Sequence, residues 1–113
     1  MSVEKINSTE ISTFSHILHM QRNGQTPTDK TGKVVEGGIK EHTAQCIANL
    51  GNVLTAAGSS WDKVVKVNVY LKDMDNFGAM NELLPNPKPA RTCIQAAKLP
   101  NDVDVEIEAI AAT

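Results

Sequence analysis

Arg91 and Glu106 have the strongest claim to chemistry in this sequence. Each is a charged side chain inside a run that otherwise reads as buried strand, Ala90-Arg91-Thr92-Cys93-Ile94 and Val105-Glu106-Ile107-Glu108-Ala109-Ile110. A buried charge without a counterpart is costly, so each residue calls for a partner or a ligand. An internal ion pair or an exposed strand edge would satisfy the same pattern. The chemistry the two types offer is specific: a guanidinium presents a planar fork that matches a carboxylate through two hydrogen bonds, and a carboxylate within reach of a water can position or deprotonate it.

Other candidates carry less. His16-x-x-His19 has a spacing seen in metal sites, but no third ligand follows at a recognised distance, so surface or core histidines are the simpler reading and no metal is expected. Cys93 shares a strand face with Arg91, yet no histidine is close in sequence to activate it, which favours a structural thiol over a nucleophile. Glu106 and Glu108, roughly 6.6 Å apart along one strand, have the form of a paired-carboxylate site. One Trp and one Tyr supply little to stack a sugar against. Trp61 reads as a packing residue, with Ser59 and Ser60 as caps.

The elements that must position these residues follow from periodicity and punctuation. Pro87 to Leu99 and Val103 to Ile110 flank Pro100-Asn101-Asp102, the punctuation expected between antiparallel strands, so the spacing predicts a hairpin. With Lys98 opposite Val103, Arg91 falls opposite Ile110 and Gln95 opposite Glu106. The two charges then share a face but stand roughly 13 Å apart, which favours a ligand between them or a site completed by another chain. Upstream, Val3–Ile6 and Ile11–Gln21 read as strands, Asp29-Lys30-Thr31-Gly32 as a turn, and Gly37-Gly38 as the redirection into a helix. From Ile39 to Ala57, Ile39, Thr43, Cys46, Ile47, Leu50, Val53, Leu54 and Ala57 recur at spacings of three and four, one buried stripe of an amphipathic helix closed by Gly58. Val64–Leu71 alternates as a strand. Asp73-Met74-Asp75-Asn76 opens a second helix that runs through Leu84 to Pro85. The expected class is α+β, with two helices on one face of a mixed sheet.

Composition bounds the rest. A length of 113 residues suits one domain over residues 1–113, with one core. A net charge of −2 and a pI near 5.9 give no overall pull toward nucleic acid or acidic membranes, so small neutral or mildly charged partners are expected. No apolar run approaches the roughly 20 residues that span a bilayer. The first ten residues lack an apolar signal core, from which a reducing cytoplasm and free thiols at Cys46 and Cys93 are expected.

Pro89-Ala90-Arg91-Thr92-Cys93 and Val105-Glu106-Ile107-Glu108-Ala109-Ile110-Ala111 together resemble the C-terminal signature of the YjgF/YER057c/UK114 family, also called the Rid or reactive-intermediate-deaminase family. Gly24-Gln25-Thr26-Pro27, Thr31 to Ile39, Ala56 to Ser60 and Val69 to Met74 agree with it in order. The sequence departs from the family where Phe14 stands in place of a tyrosine, Ser12-Thr13 in place of Gly-Pro and Asn23 in place of a serine, and where the segments before Gly24 and after Leu84 are shorter. The resemblance implies a chorismate-mutase-like α+β fold assembled as a homotrimer with its sheets turned inward and ligand clefts between subunits. It also implies hydrolysis of 2-iminobutanoate or 2-iminopropanoate to the 2-oxo acid and ammonia, without cofactor or metal. Arg91 and Glu106 would be catalytic, with Phe14, Gly24, Asn81 and Cys93 as substrate contacts. A trimer that binds small carboxylates without turnover is the alternative, and RNA cleavage or translation inhibition, attributed to some relatives, finds no basic stripe with interleaved aromatics.

Overall fold

The computed structural model describes the backbone of Ile17 and Leu18 and residues 24–112. The strands expected over Val3–Ile6 and Ile11–Gln21, and with them Phe14, His16 and His19, lie outside the described residues except for a two-residue strand, β1, at Ile17–Leu18. Then follow α1 (Ile39–Ala56), β2 (Val64–Leu71), α2 (Phe77–Glu82), β3 (Ala90–Gln95) and β4 (Val105–Ala112), with single 3-10 turns at Trp61–Lys63, Met74–Asn76 and Pro100–Asp102.

Helix α1 forms where the stripe of apolar residues predicts it. Its first turn is fastened by Glu41, whose Oε2 accepts the Gly38 N–H at 2.9 Å. Backbone N–H groups, its own first and that of Gly38 next, hold the Glu41 carboxyl below its usual value. Gly37 has φ of +117°, and a Cβ there would lie 2.7 Å from Glu41 Cβ, so glycine is required at this entry. At the other end Gly58 turns the chain out with φ of +76°. The inward face of α1 buries Thr43, Cys46, Leu50 and Leu54 against Val67, Val69 and Leu71 of β2 and Val105, Ile107, Ala109 and Ala111 of β4. Each fully buried Leu or Ile contributes roughly 1.5–3 kcal/mol. Thr43 is 0 % exposed, and among the described residues its hydroxyl has no hydrogen-bond partner. Met80 and Leu84 of the α2 region close the same core.

The sheet has the order β1-β4-β2-β3, with β4 antiparallel to both β1 and β2, and β3 parallel to β2. The fold is thus α+β with a mixed sheet and two helices, as expected. The hairpin is not. The run at 90–95 and the run at 105–112 do not pair, because β2 lies between them. Arg91 is level with Val67, not Ile110, and Glu106 pairs with Tyr70, not Gln95. The physical reason lies in burial. β4 alternates fully buried with half-buried residues along its whole length and needs a partner on each side, whereas β3 is mostly exposed, as an edge strand is. The Pro100–Asp102 turn is present, with Asn101 and Asp102 both at φ of +54°, but it carries the chain past β2 to the far side of it. Ser59 is also not a cap: its hydroxyl donates to the Ala112 carbonyl at 2.5 Å and fastens the α1–β2 connection to the end of β4. Ser60 donates to the Asp62 carboxylate, and Trp61 packs against the core as expected.

Candidate functional site

Residues directly across a sheet share a face. Arg91 goes with Val67 and Ala109, which are buried under the helices, and Cys93 goes with Val69 and Ile107. Glu106 goes with Tyr70, and Glu108 with Asn68, on the face that no helix of the described residues covers. Arg91 and Glu106 are therefore on opposite faces of the sheet, two strands or roughly 10 Å apart across it and three residues or roughly 10 Å apart along it. The shared face expected for them does not exist within one chain.

On the helix side, the Arg91 guanidinium lies over the Phe77 ring, 4.5 Å from its centroid. Phe77 begins α2 and is half-buried against the core, so the ring is a fixed platform. Stacking of this kind orients the guanidinium plane without using its N–H donors. Among the described residues Arg91 has no carboxylate partner, which leaves the fork available. Cys93, two residues on, places Sγ 3.9 Å from Sδ of Met74. Burial pushes its thiol up, against a weaker downward pull from Arg91, so Cys93 stays a protonated packing thiol. Asn81 sits in the last turn of α2, where its carbonyl and that of Leu84 each accept the Lys88 ammonium at 2.9 Å. That contact ends the short helix and leads the chain into β3.

On the open face, Gly24 approaches Glu106 closely. A Cβ built on Gly24 would stand 2.5 Å from Oε1 of Glu106, and the neighbouring Gln25 is bonded to Ile107 in both directions, N–H to carbonyl at 2.8 Å and carbonyl to N–H at 3.0 Å. Gly24 is thus held against β4 by backbone pairing, and only a residue without a side chain leaves the carboxylate its place. Desolvation first, and the neighbouring Glu108 second, raise the Glu106 carboxyl above its usual value. Glu108 is itself well provided: Asn68 Nδ2 donates to its Oε1 at 2.9 Å and the Tyr70 hydroxyl donates to the same oxygen at 3.0 Å. Phe14, the remaining expected contact, lies outside the described residues.

Four participants were not anticipated. Phe77 and Met74 were read as helix residues, and Tyr70 and Asn68 as one side of a strand; their roles depend on which strands are adjacent, which no local pattern reveals. His42 also went unread. Its Nδ1 faces Oδ1 of Asp104 at 2.7 Å and its Nε2 faces the Val35 carbonyl at 2.9 Å, tying the loop before α1 to the start of β4. A polar groove of about 550 Å³ lies elsewhere, between the 25–30 loop and α1 at Gln45, Asn49 and Asn52, and it is lined by neither Arg91 nor Glu106. Two of its amides are occupied in fastening: Asn49 Nδ2 donates to the carbonyls of Thr26 and Thr28, and Gln45 donates to Asn49 Oδ1. Among the described residues no group of His, Cys, Asp and Glu could hold a metal ion, and no helix is long and apolar enough to cross a membrane.

The comparisons with known proteins match this geometry to a family. The chain is 50% identical over 96 residues to the mitochondrial protein mmf1 of Schizosaccharomyces pombe, an overlap of 79% of this chain and 59% of that one. It is 49% identical over 87 residues to the RutC family protein UK114 of Drosophila melanogaster, covering 74% of this chain and 63% of that one. The chain therefore spans about six tenths of the length of these two curated relatives. Among solved structures, that of Escherichia coli TdcF with bound serine superposes with a TM-score of 0.74 at 30% identity, over 86% of this chain and 79% of TdcF. The model of the family described as endoribonuclease L-PSP matches residues 10–113, and the chain belongs to that family, the one of YjgF and UK114.

Proposed function

We propose that the protein hydrolyses small 2-imino acids, 2-iminobutanoate and 2-iminopropanoate, to the 2-oxo acids and ammonia, in a cleft between subunits of a homotrimer. The observation that carries this reading is Arg91: a half-buried guanidinium, oriented by Phe77 and without a carboxylate of its own among the described residues. Such a group is complementary to a small carboxylate. TdcF, a relative of this fold, is a protein with bound serine, itself a small amino acid.

The steps follow from the two side chains. The fork of Arg91 binds the substrate carboxylate through two N–H donors. Glu106, kept more basic than a solvated carboxylate by burial, accepts a proton from a water as the water oxygen bonds to the imine carbon. The proton passes to nitrogen to give the carbinolamine; Glu106 then takes the carbinolamine hydroxyl proton and returns it to nitrogen, so that the carbon–nitrogen bond breaks as the oxygen forms the carbonyl, ammonia leaves and Glu106 is again ionised. Gly24, Asn81, Cys93 and Phe14 line the site. Because Arg91 and Glu106 face opposite ways in one chain, the reacting pair comes from two copies, and light scattering coupled to size exclusion should give the mass of a trimer. A monomeric mass at micromolar concentration removes the site.

The activity is tested by coupling a threonine dehydratase to the purified protein and following 2-oxobutanoate release. Acceleration that is lost in Arg91→Ala supports the proposal, and a rate equal to the dehydratase alone refutes it. Retained 2-oxobutanoate binding without acceleration would make the protein a carboxylate-binding trimer instead. The family description names an endoribonuclease, but a chain of net charge −2 offers phosphates little attraction. We place the protein in a reducing compartment, since both cysteines are free; the cytoplasm is the proposed one, and the relative named as mitochondrial makes the matrix the alternative that cell fractionation decides.

A further inference from the structure

Glu108 touches none of the proposed reacting atoms, yet its surroundings are more elaborate than those of Glu106. The two carboxylates are successive residues on one face of β4, roughly 6.6 Å apart along the strand. Glu106 has no hydrogen-bond donor among the described residues, while Glu108 takes two on a single oxygen, from Asn68 and Tyr70 of the adjacent strand. Tyr70 is the cross-strand partner of Glu106 and Asn68 that of Glu108, so β2 reaches along the ladder to grip the second carboxylate beside the first. The environment is thus sharply divided within one pair of like charges, one member solvated by protein dipoles and the other left bare against Gly24.

We propose that Glu108 is a positioning residue for the reaction, an anchored negative charge that sets the protonation of Glu106 and so the pH at which Glu106 can take a proton from water. This rests on the reading of Glu106 as the base. The supporting physics is elementary: a fixed like charge disfavours ionisation of its neighbour, and the second contribution to the raised Glu106 carboxyl is Glu108. Among the described residues, the groups facing Glu106 from packed elements are Tyr70 on β2, Glu108 on its own strand and the backbone at Gly24; of the nearby cations, Lys66 stands level with Ile110 at the other end of the strand pair, and Lys72, the residue after β2, is engaged by Asp102, its Nζ 3.0 Å from that carboxylate. Among the described residues none of these pairs with Glu106 or Glu108, so the Glu108 charge acts on Glu106 without a counterion. Asn68 and Tyr70 matter because a free side chain would swing into solvent, where its charge is screened.

The test is the pH dependence of the dehydratase-coupled reaction, with a titration of the carboxylates of 13C-labelled glutamate by NMR in the same proteins. Glu108→Gln keeps the shape and both acceptor contacts while removing the charge. The acidic limb of its profile should move to lower pH, raising the rate relative to the plateau by roughly threefold or more on that limb, and the Glu106 resonance should titrate at lower pH than in the wild type. An unmoved limb and an unmoved resonance in a folded Glu108→Gln overturn the proposal. If Glu106→Gln turns over like the wild type, the base assignment fails, and the resonance alone then decides whether Glu108 controls Glu106. Should Glu108→Gln not fold, wild-type titrations at low and molar salt replace it: a Glu106 midpoint that falls as salt screens the pair supports the proposal, and one that stays put overturns it.

Discussion

Gly24→Ala isolates the placement of Glu106 from everything else. The backbone at Gly24 is not in the left-handed region, so alanine meets no conformational penalty there. Among the described residues the three heavy atoms nearest the new Cβ all belong to the Glu106 side chain, the nearest being Oε1 at 2.5 Å, about 0.9 Å inside ordinary contact. Backbone pairing of Gln25 with Ile107 holds both chains in place, so the flexible end of Glu106 must give way. Pushing a side chain off its preferred rotamer costs about 0.5–1.5 kcal/mol, so the fold should survive with a modest loss of thermal stability. Catalysis is less forgiving, since a displacement of about 1 Å in a reacting group costs on the order of 100-fold in rate. The expected result is imine hydrolysis reduced by about that factor with affinity for 2-oxobutanoate, which depends on Arg91, nearly unchanged. Gly32→Ala is the control: φ there is +85° and nothing lies within 4 Å of the added Cβ, so it should cost about 1 kcal/mol of stability and leave the rate alone. Wild-type turnover in a folded Gly24→Ala protein would refute the role of Glu106.

Arg91→Lys keeps the charge but loses the planar fork and its stack on Phe77; titration with 2-oxobutanoate should show affinity weakened by about 1.5–3 kcal/mol, with the thermal midpoint close to wild type. Glu106→Gln should unfold at higher temperature than the wild type at pH 7. A carboxyl raised above 4.5 in the fold contributes stability only while protonated, fully so below the unfolded value and lost as pH rises through the folded one, so melts below pH 4.5 should show the advantage gone. An advantage that does not change with pH would contradict desolvation as the cause. Thr43→Val removes a buried hydroxyl without a partner among the described residues while keeping its shape, and denaturant unfolding should show a gain of about 1 kcal/mol; a loss of similar size would mean that the hydroxyl is bonded.

Much of this structure is legible in the sequence, and the failure is localised. The periodicity of α1, the turn at Asp29–Gly32 and strand β2 depend on neighbours close in the chain, and they form where the residues indicate. Pairing between strands is a different kind of information. Two apolar runs around Pro100-Asn101-Asp102 satisfy the local signature of a hairpin, but the competing pattern was present too. Pro87 and Pro89 lead into the run at 90–95, which carries Thr92 and Gln95 among its apolar residues, the composition of an edge strand, whereas Val105, Ile107, Ala109 and Ala111 alternate without interruption, as a strand with two neighbours does. A helix between β2 and β3 further permits a parallel crossover. Weighing edge against centre would have separated the two runs. The contacts of Phe77 with Arg91 and of Tyr70 and Asn68 with Glu108 were not recoverable in the same way, since each needs the register of β2 against a second strand.

That register also constrains how the proposed site can be assembled. Arg91 sits on the edge strand facing the helices, and Glu106 sits on β4 facing the open side, so two copies that build a site must meet through two different patches. A two-fold dimer joins identical patches and would bring each residue near its own surroundings. A contact between unlike patches is head-to-tail, and repeated from copy to copy it closes as a ring or extends as a filament. Closure gives every subunit one Arg91 and one Glu106 in use, with as many sites as subunits. The half-buried residues of β4, Glu106, Glu108, Ile110 and Ala112, then gain cover from a neighbouring chain, which adds to the desolvation that already raises the Glu106 carboxyl within one chain. In the proposed trimer the same contact that completes the site therefore also strengthens Glu106 as a base.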